Sequence, residues 1–463
     1  MKIYENQISF PDRWLSKIPG HWQTHKMKRL FDERSEKGYP QEPLLVASQN
    51  MGVIPKALYG TRTVEAQKDL HLLKRVHVGD FVISLRSFQG GLEYAYYQGI
   101  ISPAYTILVP HAPILATYFR YLAKCKPFIG LLTLCVTGIR EGQNVDYTKL
   151  RNHILPVPPR AEQDQIVRFL DWKVSEINKL IGIRKKEVVA LKELNEAIIE
   201  KAITIGIDEV TVFKFTGLNY LPEIPEAWVL LKLKHVCKVG ASITKKLKQY
   251  ADQDRVVFLP MENISVDGEI DCSMKLPISE VKSGFSSFAK GDVIVAKITP
   301  CFENGKGACL NALESEIGYG TTELFNLRPF NNILSEYLYY VTKTKLFRVL
   351  GEGRMTGSAG QKRVSGEFIK NFMIGIPSIK EQQKIINYIL QKTSGLKRQI
   401  EIKKEQIQQL LELKNTIISD VVTGKIDVRN VVIPEYEHID DAADAAGGEE
   451  SAEELADAEE MEA

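Results

Sequence analysis

Residues 158–208 read PPRAEQDQIVRFLDWKVSEINKLIGIRKKEVVALKELNEAIIEKAITIGID, and residues 377–427 read PSIKEQQKIINYILQKTSGLKRQIEIKKEQIQQLLELKNTIISDVVTGKID. The two align without a gap at a constant offset of 219 residues, placing Glu162-Gln163 on Glu381-Gln382 and Ile207-Asp208 on Ile426-Asp427. A register held that long marks an internal duplication. Each copy opens after prolines that stop the preceding element (Pro156-Val157-Pro158-Pro159; Ile376-Pro377). Apolar residues then recur by sevens: Leu170, Ile177, Leu191 and Ile198 in the first copy, Ile389, Leu396, Leu410 and Ile417 in the second. No proline interrupts Glu162–Thr204 or Glu381–Thr423. At 1.5 Å per residue, each stretch predicts a helix roughly 60 Å long. One such helix with a single apolar stripe is a poor monomer, whereas two in matching register bury each other's stripe.

Working outward, the repeat continues. Ile18-Pro19-Gly20-His21-Trp22 returns as Ile224-Pro225-Glu226-Ala227-Trp228, and Gly79-Asp80-Phe81-Val82-Ile83 as Gly291-Asp292-Val293-Ile294-Val295. Thr137-Gly138 matches Thr356-Gly357. The parts before each helix mix short strand-like runs, helical stretches and Gly-rich turns, as α/β (α+β) domains do. The expected organisation is a globular domain at 1–157, a central helix at 158–208, a second domain at 209–376, a distal helix at 377–430 and an acidic tail at 431–463. The second domain must return the chain, so the helices are expected to pair antiparallel, as a coiled coil, with the two domains in a pseudo-twofold arrangement.

Charge divides the chain. Of 60 basic and 58 acidic residues, 13 acidic and no basic ones follow from Glu435 onward, so the rest carries a net +15. A basic body suits a polyanion. The tail, rich in Ala, Glu and Asp, is expected to be disordered or a frayed helix. No apolar run is long enough to span a bilayer and no export signal opens the chain, which together predict a cytoplasmic protein without membrane contact. The six cysteines are scattered without a C-x-x-C pair and are expected reduced and mostly buried.

Catalytic motifs fail to appear. There is no phosphate-binding G-x-x-x-x-G-K-[S/T] loop, since Gly424-Lys425 runs into Ile426. There is no H-E-x-x-H; His21 and His25 have helical spacing for a metal but no further ligands. Neither a G-x-S-x-G elbow nor an N-P-P-[YFW] stretch is present, and the latter holds the flipped base in DNA amino-methyltransferases. No catalytic residue and no metal ligand is therefore assigned.

I-P-x-x-W, a mid-domain Gly-Asp strand, a Thr-Gly loop, and P-x-x-x-E-Q leading into a long helix, all duplicated over about residues 15–430, resemble the specificity subunits of Type I restriction-modification systems. The resemblance implies two target-recognition domains that read a bipartite, asymmetric site on double-stranded DNA, one half-site each, for anti-phage defence. It further implies a non-catalytic chain that docks two methyltransferase subunits and motor-nuclease subunits. S-adenosylmethionine, ATP and Mg would be bound by those partners and no cofactor by this chain.

Base reading needs donors and acceptors on loops held by a rigid body. In the first domain the candidates are Ser48, Gln49 and Asn50; Arg86, Ser87 and Gln89; and Arg140, Gln143 and Asn144. In the second they are Lys297, Thr299, Asn304, Lys306, Arg354, Ser358, Gln361, Lys362 and Arg363, with Arg354, Gln361 and Arg363 foremost. Each has an alternative use as a phosphate contact or a loop hydrogen bond. The stretches after Thr137-Gly138 and Thr356-Gly357 rank highest, because they occupy equivalent places yet differ in charge. Two other readings stay open on residues alone: a coiled-coil adaptor with two interaction domains and no nucleic acid, or an enzyme whose site matches no motif.

Overall fold

The computed structural model describes residues 2–59, 69–137, 144–208, 211–357 and 361–439. The chain forms two compact units, one of Met1–Glu187 with Lys403–Ala463, the other of Val188–Ile402. Each is mixed α/β, and each holds part of both long helices.

In the first unit, Phe31–Arg34, Thr106–Pro110, Phe81–Ile83 and Glu93–Tyr94 make a four-stranded antiparallel sheet in that order. The second unit builds its counterpart from Cys237–Val239, Leu324–Pro329, Val293–Ala296 and Gly307–Cys309. It adds a sheet of Lys275–Pro277, Arg255–Leu259, Ile317–Gly320 and Ser286–Ala289, in which the two middle strands run parallel. Both units also pair the strand after the Trp motif with the strand before the helix: Gln23–Lys26 with Ile154–Val157, and Val229–Lys232 with Met373–Ile376.

The Gly-Asp repeat is a turn that launches the buried central strand. Gly79 and Gly291 take φ of 94° and 87°, which L side chains resist. The following carboxylates are buried, so every lone pair needs a donor. Asp80 accepts from His77 N (2.9 Å) and from the Arg34 fork (2.9 and 3.3 Å). Asp292 accepts from Ala289 N (2.8 Å) and from Arg328 (2.7 and 2.8 Å). The arginine comes from a different strand in each unit, so the job is repeated although the residue is not.

The central helix spans Arg160–Thr204 and the distal helix Ile379–Val422, each about 66–68 Å at 1.5 Å per residue. They pair antiparallel. In the first unit Gln165 reaches Val428 O (3.1 Å), Asn178 accepts from Lys414 (3.1 Å), and Glu187 meets Lys403 (2.9 Å), so one helix descends as the other rises. Ile166, Leu170 and Ile177 pack with Ile417, Ile418 and Val421; in the second unit Ile199 and Ile203 pack with Ile385 and Ile389. Two fully buried tyrosines tie each domain to the end of a helix: Tyr118 donates to Val422 O (2.9 Å) and Tyr337 to Ile203 O (3.5 Å).

Three expectations need correction. Of the heptad positions, Leu170, Ile177, Ile389 and Ile417 are buried, but Leu191, Ile198, Leu396 and Leu410 are only half-buried. A straight α-helix drifts about 20° per heptad against a 3.5-residue repeat. Four heptads after Leu170 the buried position has therefore moved from Ile198 to Ile199. The expected tail, for its part, does not begin at 431. Residues 431–439 lie along the central helix: Gln165 Nε2 donates to Val431 O (2.8 Å), Asn178 to Ile439 O (3.2 Å), and Lys179 pairs with Glu437 (3.2 Å). The rest of the tail, 440–463, is outside the described residues. Finally, His21 and His25 share no helical face, because Gln23–Lys26 is a strand.

None of the six cysteines forms a disulfide; Cys125, Cys135 and Cys237 are buried and Cys272, Cys301 and Cys309 half-buried. Among the described residues no helix is long and apolar enough to cross a membrane.

Candidate nucleic-acid interface

The helix-opening motif explains how each domain is seated. Gln163 is fully buried, and its Nε2 donates to Pro158 O (2.8 Å) and Pro113 O (3.0 Å) while its Oε1 accepts from Leu115 N (2.8 Å). Gln382 repeats this with Pro377 O (3.0 Å), Asn332 O (3.0 Å) and Leu334 N (2.8 Å). The neighbouring glutamate takes the tryptophan indole: Trp22 Nε1 to Glu162 (2.9 Å), Trp228 Nε1 to Glu381 (2.7 Å). Glu162 also accepts from the Tyr4 hydroxyl and meets His21 Nε2 (2.7 Å). So I-P-x-x-W and E-Q are two halves of one clip, which fixes the candidate reading loops to a rigid helix.

In the first unit, three candidate segments converge. Gln49 Nε2 donates to Arg86 O (3.1 Å), joining the Ser48–Asn50 turn to the short helix Ser87–Gly90. That helix lies against the strand Asn144–Val145. Gln49, Asn50, Arg86 and Gln89 are exposed and Asn144 is half-buried. Ser48 and Ser87 fail as surface readers. Both are buried, and their hydroxyls accept from Met51 N (3.3 Å) and Ser84 N (2.8 Å) to close turns. Arg140 and Gln143 lie outside the described residues.

Beneath this group Lys124 Nζ donates to Gln49 O (3.0 Å) and to Glu93 (2.7 Å). Burial pushes the Glu93 carboxyl up to about 7, against the pull of Lys124. Unfolded, it ionises near 4.5. Raising the pH between these values charges the unfolded chain first, so this group's contribution makes stability fall across that window. Glu93→Gln cannot ionise and is expected to flatten that fall. Urea melts at stepped pH compare the two proteins, and identical slopes would acquit Glu93.

In the second unit, Lys297–Thr299, Glu323 and Lys362–Val364 are knitted together. Thr299 N donates to Lys362 O (2.9 Å), Val364 N to Lys297 O (2.9 Å) and Lys297 N to Glu323 O (2.9 Å). Lys297 is half-buried, and burial lowers its pKa. Thr299 Oγ1 meets Glu303 (3.1 Å), which carries the turn bearing exposed Asn304 and half-buried Lys306. That turn is stapled from below: Arg348 donates to Glu303 O (3.0 Å) and to Glu196 of the central helix (2.6 Å), and Lys343 to Gly305 O (2.8 Å). Arg354, Gln361, Lys362 and Arg363 are all exposed, and the Arg354 guanidinium lies over the Phe368 ring (5.9 Å). Ser358 lies outside the described residues. Sequence reading missed the supporting residues Glu93, Lys124, Glu323, Lys343 and Arg348, because each acts on a loop far away in the chain and sits in no local pattern.

The two units share one further feature. Thr137 pairs with Asn144 across an antiparallel ladder, and Thr356 pairs with Arg363 in the same way, 219 residues on. Asn144 and Arg363 thus hold equivalent places beside the Thr-Gly loops. Among the described residues no group of His, Cys, Asp and Glu is arranged to hold a metal ion.

Residues 225–413 match the family model described as the Type I restriction modification DNA specificity domain. The EcoAI specificity subunit of Escherichia coli is 36% identical over 244 residues, and the putative MjaX specificity subunit of Methanocaldococcus jannaschii 22% identical over 458. The chain is thus similar, over part of its length, to Type I restriction enzyme specificity subunits. The EcoAI alignment covers 51% of this chain but only 38% of that subunit; the MjaX alignment covers 93% and 99%. A chain in a solved structure concerned with assembly and conformational transition of the type I R-M system superposes with a TM-score of 0.63 at 14% identity. It covers 89% of this chain and 100% of its own length, a likeness of fold. The specificity-domain match begins at Pro225, in the Trp motif, and ends within the distal helix, so it takes in the clip and the whole second reading group.

Proposed function

We propose that this chain is the non-catalytic DNA-reading subunit of a Type I restriction-modification complex. Each unit reads one half of a bipartite target on double-stranded DNA. Two methyltransferase subunits and motor-nuclease subunits dock on the chain and supply the chemistry with S-adenosylmethionine, ATP and Mg, in the cytoplasm. The observation that carries this reading is the equivalent ladder position filled by Asn144 in one unit and Arg363 in the other. The scaffold is the same, while an amide suited to adenine stands where an arginine suited to guanine stands in the second copy. The net +15 of residues 1–434 supports phosphate contact. Docking is supported by apolar side chains left exposed on the helices, Leu180, Ile183 and Leu413 in the first unit and Val189, Leu194 and Leu390 in the second.

Exchanging residues 1–157 for the same region of a relative is expected to change one half-site and leave the other intact. Mapping methylated adenines in a host expressing the whole system reads this directly. A change in both halves, or methyl transfer by the purified chain alone, would overturn the proposal.

A further inference from the structure

The Arg363 guanidinium is held by a carboxylate before any DNA arrives. Its Nε donates to Glu323 Oε2 (2.9 Å) and its Nη2 to Glu323 Oε1 (3.0 Å), a two-bond fork on one edge. Nη1 makes only a long contact, 3.3 Å, to Gln361 O. An arginine held by its Nε–Nη2 edge still presents two amino groups at its far end, the spacing that matches guanine O6 and N7.

Both partners stand on fixed backbone. Glu323 precedes the strand Leu324–Pro329, and its carbonyl accepts from Lys297 N (2.9 Å). Arg363 is bridged on one side to Ile298 and on the other to Thr356. Arg363 is 45% exposed and Glu323 24%. An exposed ion pair of this kind adds little to stability. What a fork does supply is orientation, since it removes rotamer freedom from a long side chain before binding rather than during it. The first unit has no use for such a device. Its equivalent residue is the short Asn144, and the residue 219 positions before Glu323 is Ala104.

We propose that Glu323 is a specificity-determining positioning residue: it aims Arg363 at one guanine of the second half-site. This rests on the DNA-reading function proposed above. It also predicts opposite effects on affinity and on discrimination. Glu323 is the negative neighbour of both Lys297 and Arg363. Removing its charge favours phosphates everywhere while loosening the grip on one base.

The test uses the assembled complex with its partner subunits at one fixed salt concentration. It measures binding to the cognate duplex and to duplexes changed at single base pairs of either half. Glu323→Gln is expected to lose about tenfold discrimination at one base pair of the second half-site. The first half-site should be unaffected, random-sequence affinity equal or higher, and the melting temperature unchanged. Arg363→Lys should lose the same base preference, because an ammonium cannot be held by a fork, and adding Glu323→Gln should cost nothing more. If Arg363→Ala abolishes preference at one base pair but Glu323→Gln does not, Arg363 reads unaided and the inference is wrong. A uniform loss over all duplexes in Arg363→Ala would make Arg363 a phosphate contact and overturn it as well. A wild-type complex without sequence preference would instead refute the reading function itself.

Discussion

Trp228→Ala is expected to destabilise the second unit by about 3–5 kcal/mol, the usual range for truncating a buried aromatic. Trp228 is wholly buried and sits in a slot that glycines make possible. A Cβ on Gly375 would lie 2.8 Å from its ring and one on Gly206 3.3 Å, so the strand before the distal helix and the end of the central helix both close on the indole. Neither backbone segment can collapse far into the vacated space without giving up its own pairing. Most of the cavity cost is therefore expected to persist. Trp228→Phe should recover most of it, losing chiefly the bond to Glu381, which is half-exposed and can be solvated. Trp22→Ala should cost a similar amount, since buried Glu162 keeps Tyr4 and His21 as partners. Urea denaturation of the four proteins measures this. A loss below about 1 kcal/mol in Trp228→Ala would mean that the clip is not what seats the domain.

Periodicity made much of this fold legible. The duplication, the helix lengths and their antiparallel pairing follow from a pattern that repeats whether or not its reasons are known. The reasons themselves were hidden. Nothing in E-Q announces that Gln163 and Gln382 each satisfy three backbone groups, or that the adjacent glutamate receives an indole from the start of the domain. Strict sevens overran the helix geometry, and so Ile199 rather than Ile198 is buried. At the reading surface, residue type alone could not separate Ser87, whose hydroxyl closes a buried turn, from Gln89, which is exposed two positions on. Chain order could not bring Glu323 to Arg363, because their meeting depends on strand pairing between segments 40 residues apart.

Binding of the assembled complex to DNA is expected to fall about a thousandfold between 50 and 200 mM salt if about six phosphates are neutralised, because each contact releases condensed counterions. The basic residues are spread through both domains, whereas 13 of the 58 acidic residues lie from Glu435 onward. Truncation after Ile439 separates the two populations. It removes 11 of those acidic residues and leaves in place the stretch that lies along the central helix through Asn178 and Lys179. The net charge of this chain then rises from +2 to +13. Long-range attraction to DNA should strengthen for every sequence alike at low salt and converge with the full chain at high salt, as screening shortens its reach. Sequence preference should not move, because no reading loop lies in the removed segment. Titrating cognate and random duplexes across the salt range gives both slopes. A flat slope for the full-length complex would remove the phosphate-tracking surface from the proposal. A changed recognition sequence after truncation would place the acidic segment inside the reading site.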